Sequence, residues 1–447
     1  MTANSQIKTP RLALHPLTRF TPFIAFPSIN LLLISLLSVL LTYGNAFAAT
    51  NTAPYAVQDY EANATIKSFN ETSVLAQRIW ANLTNHFVVL YEQGDYESAH
   101  KVAQRAFDIA LNNFGLNDVN TADALLKLGI INQTIGKLSV AEDHLLGSLV
   151  ILEEQLSPDH PDVAVTSTNL GNVYFEMGRM RESEKYHNAA LRIRRNAFGD
   201  SNPTVAQSTY NLAILYEHEG NYLKAEIFYN QAIQLWSNSV GAAHPYVGSA
   251  LNNLTNVYAA QEKYQDAAST LERTVLYKKT VFGVQHEEVA QTLISLGTAF
   301  LEQGKYDSAG AAYAEALDIA QHILASSDPQ LALLMYTLAN IYHMQARMVA
   351  NDHPVPHSQN ISDNADDTKN AKIAETNLVS NNINGFENTT LLAQALPLYK
   401  KAAEILDTDQ KTNWTTLSVV LSELAMLYKA IGDTDMAIAT ESRLSTH

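Results

Sequence analysis

Residues 168–190 read TNLGNVYFEMGRMRESEKYHNAA, and residues 210–232 read YNLAILYEHEGNYLKAEIFYNQA. Laid over each other, they match Leu170 with Leu212, Tyr174 with Tyr216, Gly178 with Gly220 and Ala190 with Ala232, a step of 42 residues. The grid extends both ways, through Gly94, Gly136 and Gly304, with Glu262 and Ala346 where a glycine is missing. Eight residues before the grid points stand Leu128, Leu170, Leu212, Leu254, Leu296 and Leu338; four before stand Tyr174, Tyr216, Tyr258, Phe300 and Tyr342. Five after stand Ala99, Ala141, Ser183, Ala225, Ala267 and Ala309. These spacings are helical on both sides of a glycine turn. Large residues on the first helix and alanines on the second let the two pack closely as an antiparallel hairpin. Pro161, Pro203, Pro245 and Pro329 open the next first helix, where proline is tolerated, and Asn202 and Asp328 are placed to cap it. One such hairpin cannot bury its apolar stripe, so neighbours must stack.

The pattern Leu170-Gly171-x-x-Tyr174 with Ala190 resembles the tetratricopeptide repeat. The 42-residue period, Tyr306-Asp307-Ser308-Ala309 and Asp159-His160-Pro161-Asp162-Val163-Ala164 resemble its kinesin-light-chain subtype. The resemblance covers about residues 73 to 444 and implies an all-α, right-handed superhelical solenoid of about eight antiparallel helix hairpins. It is specific for fold and unspecific for function.

The first 48 residues read as a secretory signal peptide. Lys8, Arg11 and Arg19 precede an apolar run from Leu31 to Leu41 and then Ala46-Phe47-Ala48, and the first acid is Asp59. The run falls short of the roughly 20 residues a membrane-spanning helix needs, and extending it back to Phe20 takes in Pro22, Pro27 and Asn30. Cleavage after Ala48 would make the mature protein periplasmic or secreted; an uncleaved start would tether it to a membrane. Residues 49–72 read as a flexible lead-in and 73–346 as repeats. The grid then lapses until Gly432, leaving 44 extra residues, so 347–390 reads as an Asn/Asp-rich loop insertion in the turn of hairpin seven. The insertion has room for a short helix over Ala371 to Val379. The displaced second helix is expected over Leu391 to Leu406, with Ala395 and Ala402 in register, and 391–447 ends with one more repeat.

The 447 residues are 47% apolar, so wholesale disorder is excluded. A net charge of −16 repels phosphate backbones and argues against nucleic acid as a partner. With no cysteine there are no disulfides, thiolate metal sites or thiol nucleophiles. His286-Glu287-Glu288-Val289-Ala290 lacks the second histidine of a zinc-protease helix, and no phosphate-binding loop is present. Gly199-Asp200-Ser201 falls in a linker that the repeat spacing already explains, and His343, His353 and His357 lack carboxylates at fixed spacing. No catalytic constellation, cofactor site or metal site emerges, and no small-molecule substrate is expected.

In the resembled family the first helices line a concave face that binds an extended peptide or a partner helix. Nine residues before the grid points stand Asn85, Lys127, Asn169, Asn211, Asn253, Ser295 and Thr337. Position −6 adds Asn172, Asn256 and Asn340, and position −10 adds Thr168, Tyr210, Asn252 and Tyr336. These positions are expected to face outward between the packed −8 and −4 rows. A row of amides can pair with a peptide's main-chain N–H and C=O groups. Asn169, Asn172, Tyr210, Asn211, Asn253, Asn256 and Asn340 are therefore the candidate groove residues. Family members that clamp a terminal carboxylate with Lys and Arg resemble a different design, for which only Lys127 is in place. The sequence thus reads as a non-enzymatic interaction scaffold with a protein or peptide ligand. Two alternatives stay open: an accessory or repeat-fold enzyme with its site in 347–390, and a membrane-tethered envelope assembly factor.

Overall fold

The computed structural model describes residues 62–352, 389–408 and 410–445, and every regular element among them is a helix. They fall into two compact units that meet in the chain at Val173 and Tyr174. The first unit contains α1 (Ala62–Glu92), α2 (Tyr96–Phe114), α3 (Val119–Thr134), α4 (Leu138–Gln155) and most of α5 (Pro161–Glu176). The second takes the end of α5 and continues with α6 (Met180–Phe198), α7 (Pro203–His218), α8 (Tyr222–Ser239), α9 (Pro245–Ala260) and α10 (Tyr264–Phe282). It ends with α11 (Glu287–Glu302), α12 (Tyr306–Ile323), α13 (Pro329–Asp352), α14 (389–407), α15 (Gln410–Ala430) and α16 (Thr434–Ser445). Taken in order these sixteen helices pair into eight hairpins. The alanine rows sit in the cores: Ala99, Ala141, Ala225, Ala309, Ala395 and Ala402 are fully buried.

Each grid turn closes in the same way. In hairpin two the Gly136 N–H donates to Gln133 O and the Lys137 N–H to Asn132 O; in hairpin four Gly220 and Asn221 repeat the pair on Glu217 and Tyr216. This is a Schellman ending, which needs a left-handed residue at its centre. Gly94, Gly136, Gly178, Gly220, Gly304 and Gly432 supply it with φ between 70° and 83°, and Glu262 is forced to φ 56°. A second series of positive φ lies 21 residues further on, where one hairpin passes to the next: Gly115, Ser157, Gly199, Gly241 and Gly283. Ser157, exposed at φ 141°, is the exception there. Both non-glycine residues hold a conformation that costs an L-residue about 1 kcal/mol or more. Glu262→Gly and Ser157→Gly are therefore each expected to raise the thermal midpoint. Gly220→Glu should lower it, by strain alone, since a Cβ there would meet nothing within 4 Å. Differential scanning calorimetry checks all three.

In hairpins two to seven the first helices start on side-chain caps. Asp118, His160, Asn202, His244, His286 and Asp328 accept the N–H two residues on, at 2.8, 3.2, 2.9, 3.3, 3.1 and 2.8 Å. Gly199 and His286, singled out in the sequence for their chemistry, thus serve a turn and a cap.

Two segment boundaries change. Helix α1 begins at Ala62, so the last part of the expected 49–72 lead-in is helical. Helix α13 runs on to Asp352, six residues into the expected insertion. The signal peptide, the short helix over 371–379, His353 and His357 lie outside the described residues. Among those described, no helix is long and apolar enough to cross a membrane.

Candidate protein-binding face

The first helices do not present the asparagine row as an open wall. Asn169 and Asn211 are 0% and 3% exposed, Tyr210 7% and Asn172 9%. The expectation that they face outward is corrected for these four. The reason is visible at Asn253, where the fold shows what position −9 touches. Its Nδ2 donates to the hydroxyls of Tyr210 and Tyr229, both at 3.1 Å, from the preceding hairpin. One residue is 100° around a helix, so position −9 turns from the −8 core toward the flank that the previous hairpin covers. It is a junction position. Asn253 is accordingly half-buried, whereas Asn256, at −6 and on the opposite side of the helix from −8, is exposed.

Around Asn253 the junction is a polar and aromatic cluster. Tyr229 donates its hydroxyl to Glu217. Tyr210 packs against Tyr229 and Trp236 at centroid distances of 5.7 and 5.2 Å. Burial pushes both tyrosine hydroxyls up, with the Glu217 carboxylate adding to the shift, and burial also raises Glu217 itself. These are structural hydrogen bonds in a low dielectric rather than reactive groups. Further along the same junction, Tyr258 and Lys263 reach back to Glu226, at 3.4 and 2.7 Å.

Two amides of the asparagine row remain one bond short. Asn169 donates to Val165 O at 2.9 Å, but its Oδ1 has no partner; Asn211 accepts from Gln207 at 2.9 Å, but its Nδ2 has none. The row's cation, Lys127, is 5% exposed and neutralised by Asp123 at 2.5 Å. In the second unit the first helices keep an uncharged strip: exposed Asn252 and Asn256 on α9, exposed Thr298 and half-buried Ser295 on α11, and half-buried Thr337 and Asn340 on α13. Asn340 accepts the hydroxyl of Tyr399. No group of three or more His, Asp or Glu suited to a metal ion occurs among the described residues.

The profile of the tetratricopeptide repeat matches residues 81–154, 140–196, 162–233, 204–275 and 288–348. The chain belongs to the tetratricopeptide repeat family. Among solved structures this repeat protein is similar to BtubC (BKLC) from P. vanneervenii, at 18% identity, 69% coverage of this chain, 100% of that one and TM-score 0.40. Kinesin-light-chain TPR-like repeats from Podosopora anserina give 19%, 46%, 99% and 0.41. PilF of Pseudomonas aeruginosa gives 15%, 56%, 93% and 0.39. No curated protein matches the chain.

Sequence reasoning passed over the partners of the amides. Tyr229 and Tyr399, the partners of Asn253 and Asn340, stand nine residues after their grid points once the insertion is removed, as does Tyr313, which bonds Thr298; Leu145, His187 and Leu271 fill the position elsewhere. Reading the second helix for its large residues, instead of its alanines alone, would have found them.

Proposed function

We propose that this tetratricopeptide-repeat protein is a non-enzymatic scaffold that holds a segment of a partner protein by its main chain. The observation behind the reading is the pair of orphaned amide atoms, Asn169 Oδ1 and Asn211 Nδ2. A buried polar atom without a partner costs about 1–3 kcal/mol, so native proteins rarely keep one without a use. A peptide N–H would satisfy the first and a peptide C=O the second. Each requires local opening around a first helix, which makes docking an induced fit on each unit. The uncharged strip of α9, α11 and α13 suits the same role, being able both to donate and to accept. Purified protein starting at Ala49 should select ligands from a random peptide library displayed on phage, and calorimetry should show them binding with little dependence on salt. If the library yields no ligand, the reading falls.

We further propose that the scaffold works outside the cytoplasm, in the periplasm or beyond it. The support is the positive start, the short apolar run and Ala46-Phe47-Ala48. Amino-terminal sequencing of the exported protein should begin within a few residues of Ala49. An intact Met1 recovered from membranes would favour the tethered form instead.

A further inference from the structure

The cluster around Asn253 has a counterpart near the end of the second unit. Tyr336 and Tyr399 hold the repeat positions of Tyr210 and Tyr229, and their rings meet edge to face at 6.1 Å. The residue at the position of Asn253 is Glu423, on α15. Where an amide donated to both tyrosine hydroxyls, a carboxylate can only accept. Of the two hydroxyls, that of Tyr399 is committed to Asn340, which also bonds Tyr336. Glu423 is half-buried and makes no hydrogen bond or ion pair among the described residues. Its charge is felt by both tyrosines, and the cation opposing it is Arg347 at the end of α13, which does not reach ion-pair distance. Burial raises the Glu423 carboxyl, as expected for a carboxylate whose surroundings leave it uncompensated.

We propose that Glu423, beside Tyr336 and Tyr399, receives a lysine or arginine side chain of the segment docked on the second unit. This rests on the scaffold reading above and adds the partner's chemistry to it. A basic side chain supplies the donors and the charge that the site lacks, and its stem or guanidinium plane lies against a tyrosine face. The preceding −9 residues of this unit, Asn211, Asn253, Ser295 and Thr337, are all neutral, so Glu423 would set the register of the segment.

The test compares the wild-type chain with Glu423→Gln in selections from the same random peptide library. Glutamine is an amide like Asn253, and circular dichroism with thermal melting confirms that the variant folds. Wild-type ligands should share Lys or Arg at one position. Replacing that residue by norleucine or citrulline should weaken binding about ten-fold or more, and on E423Q the same replacement should change little. The inference is overturned if the ligands share no basic residue, or if the replacement costs the same on both proteins. A carboxyl that sits protonated and donates to a tyrosine, as Asn253 does, would give that second outcome. Ligands that weaken on loss of Asn169 and Asn211, yet carry no basic residue, would keep the scaffold reading and remove this one. A library that yields no ligand for either protein removes both.

Discussion

Replacing Asn169 on the first unit and Asn211 on the second by alanine is expected to weaken binding of library-selected peptides to either unit up to about ten-fold, without weakening the fold. On each unit one bond to the ligand main chain would be lost, at about 0.5–1.5 kcal/mol net, and 1.4 kcal/mol is a factor of ten. The bonds lost inside the free protein are to Val165 O and Gln207, within single helices. Alanine is the better helix former, and the change removes two orphaned polar atoms. The free variant should therefore melt at the same temperature or higher while binding less. Isothermal titration and thermal melting on one preparation separate the cases. Unchanged affinity would move the binding surface away from these helices. Asn253 is left out of the variant on purpose. Its amide serves Tyr210 and Tyr229, so Asn253→Ala would confound binding with a damaged core.

Acid sensitivity is the second large effect, and it is traced to His187 on α6. This ring is 3% exposed, its Nδ1 has no hydrogen-bond partner, and the Arg194 guanidinium lies close by. Burial, and after it Arg194, holds its pKa down to about 3 against an ordinary 6.5. The unfolded chain therefore binds a proton that the folded chain refuses between those two values. Stability from this group is whole above pH 6.5 and drains away as the pH falls toward 3. By pH 5 the loss is about 2 kcal/mol. His187→Leu should remove that part of the pH dependence. Leucine fits because Leu145 and Leu271 hold the same repeat position in other hairpins, both buried. The comparison is a pair of urea titrations at pH 7 and pH 5. His144, His244 and His343 are also held down by burial, so the variant should keep a weaker slope of the same sign. A wild type and variant that lose stability in parallel would place the acid sensitivity elsewhere.

Fold and site were not equally legible in the sequence. Gly94 to Gly304 and the leucine and alanine rows fixed the hairpins, because a turn glycine and a close helix contact each admit few residue types. The displaced helix was readable from Ala395 and Ala402 for the same reason. Position −9 misled, since an asparagine reads alike whether it faces solvent or a neighbouring hairpin's tyrosines. Which flank the stacking covers depends on residues 24 and 43 positions away, as at Tyr229 and Tyr210, and no local period reports that. The strain at Glu262 followed from the gap in the glycine row, whereas Ser157 was missed because the second series of turns went unread.

The regular placement of left-handed turns has a mechanical side. Among the described residues of each unit the helices pack chiefly on their neighbours in the chain, so load applied along a unit is met largely one hairpin at a time. Apart from hairpin seven, which carries 44 residues more, each hairpin that yields frees 42 residues, about 140 Å of extended chain. Under tension the protein would thus lengthen in nearly equal strides, like a ratchet paid out tooth by tooth. Each unit could then yield in part without losing all its structure at once.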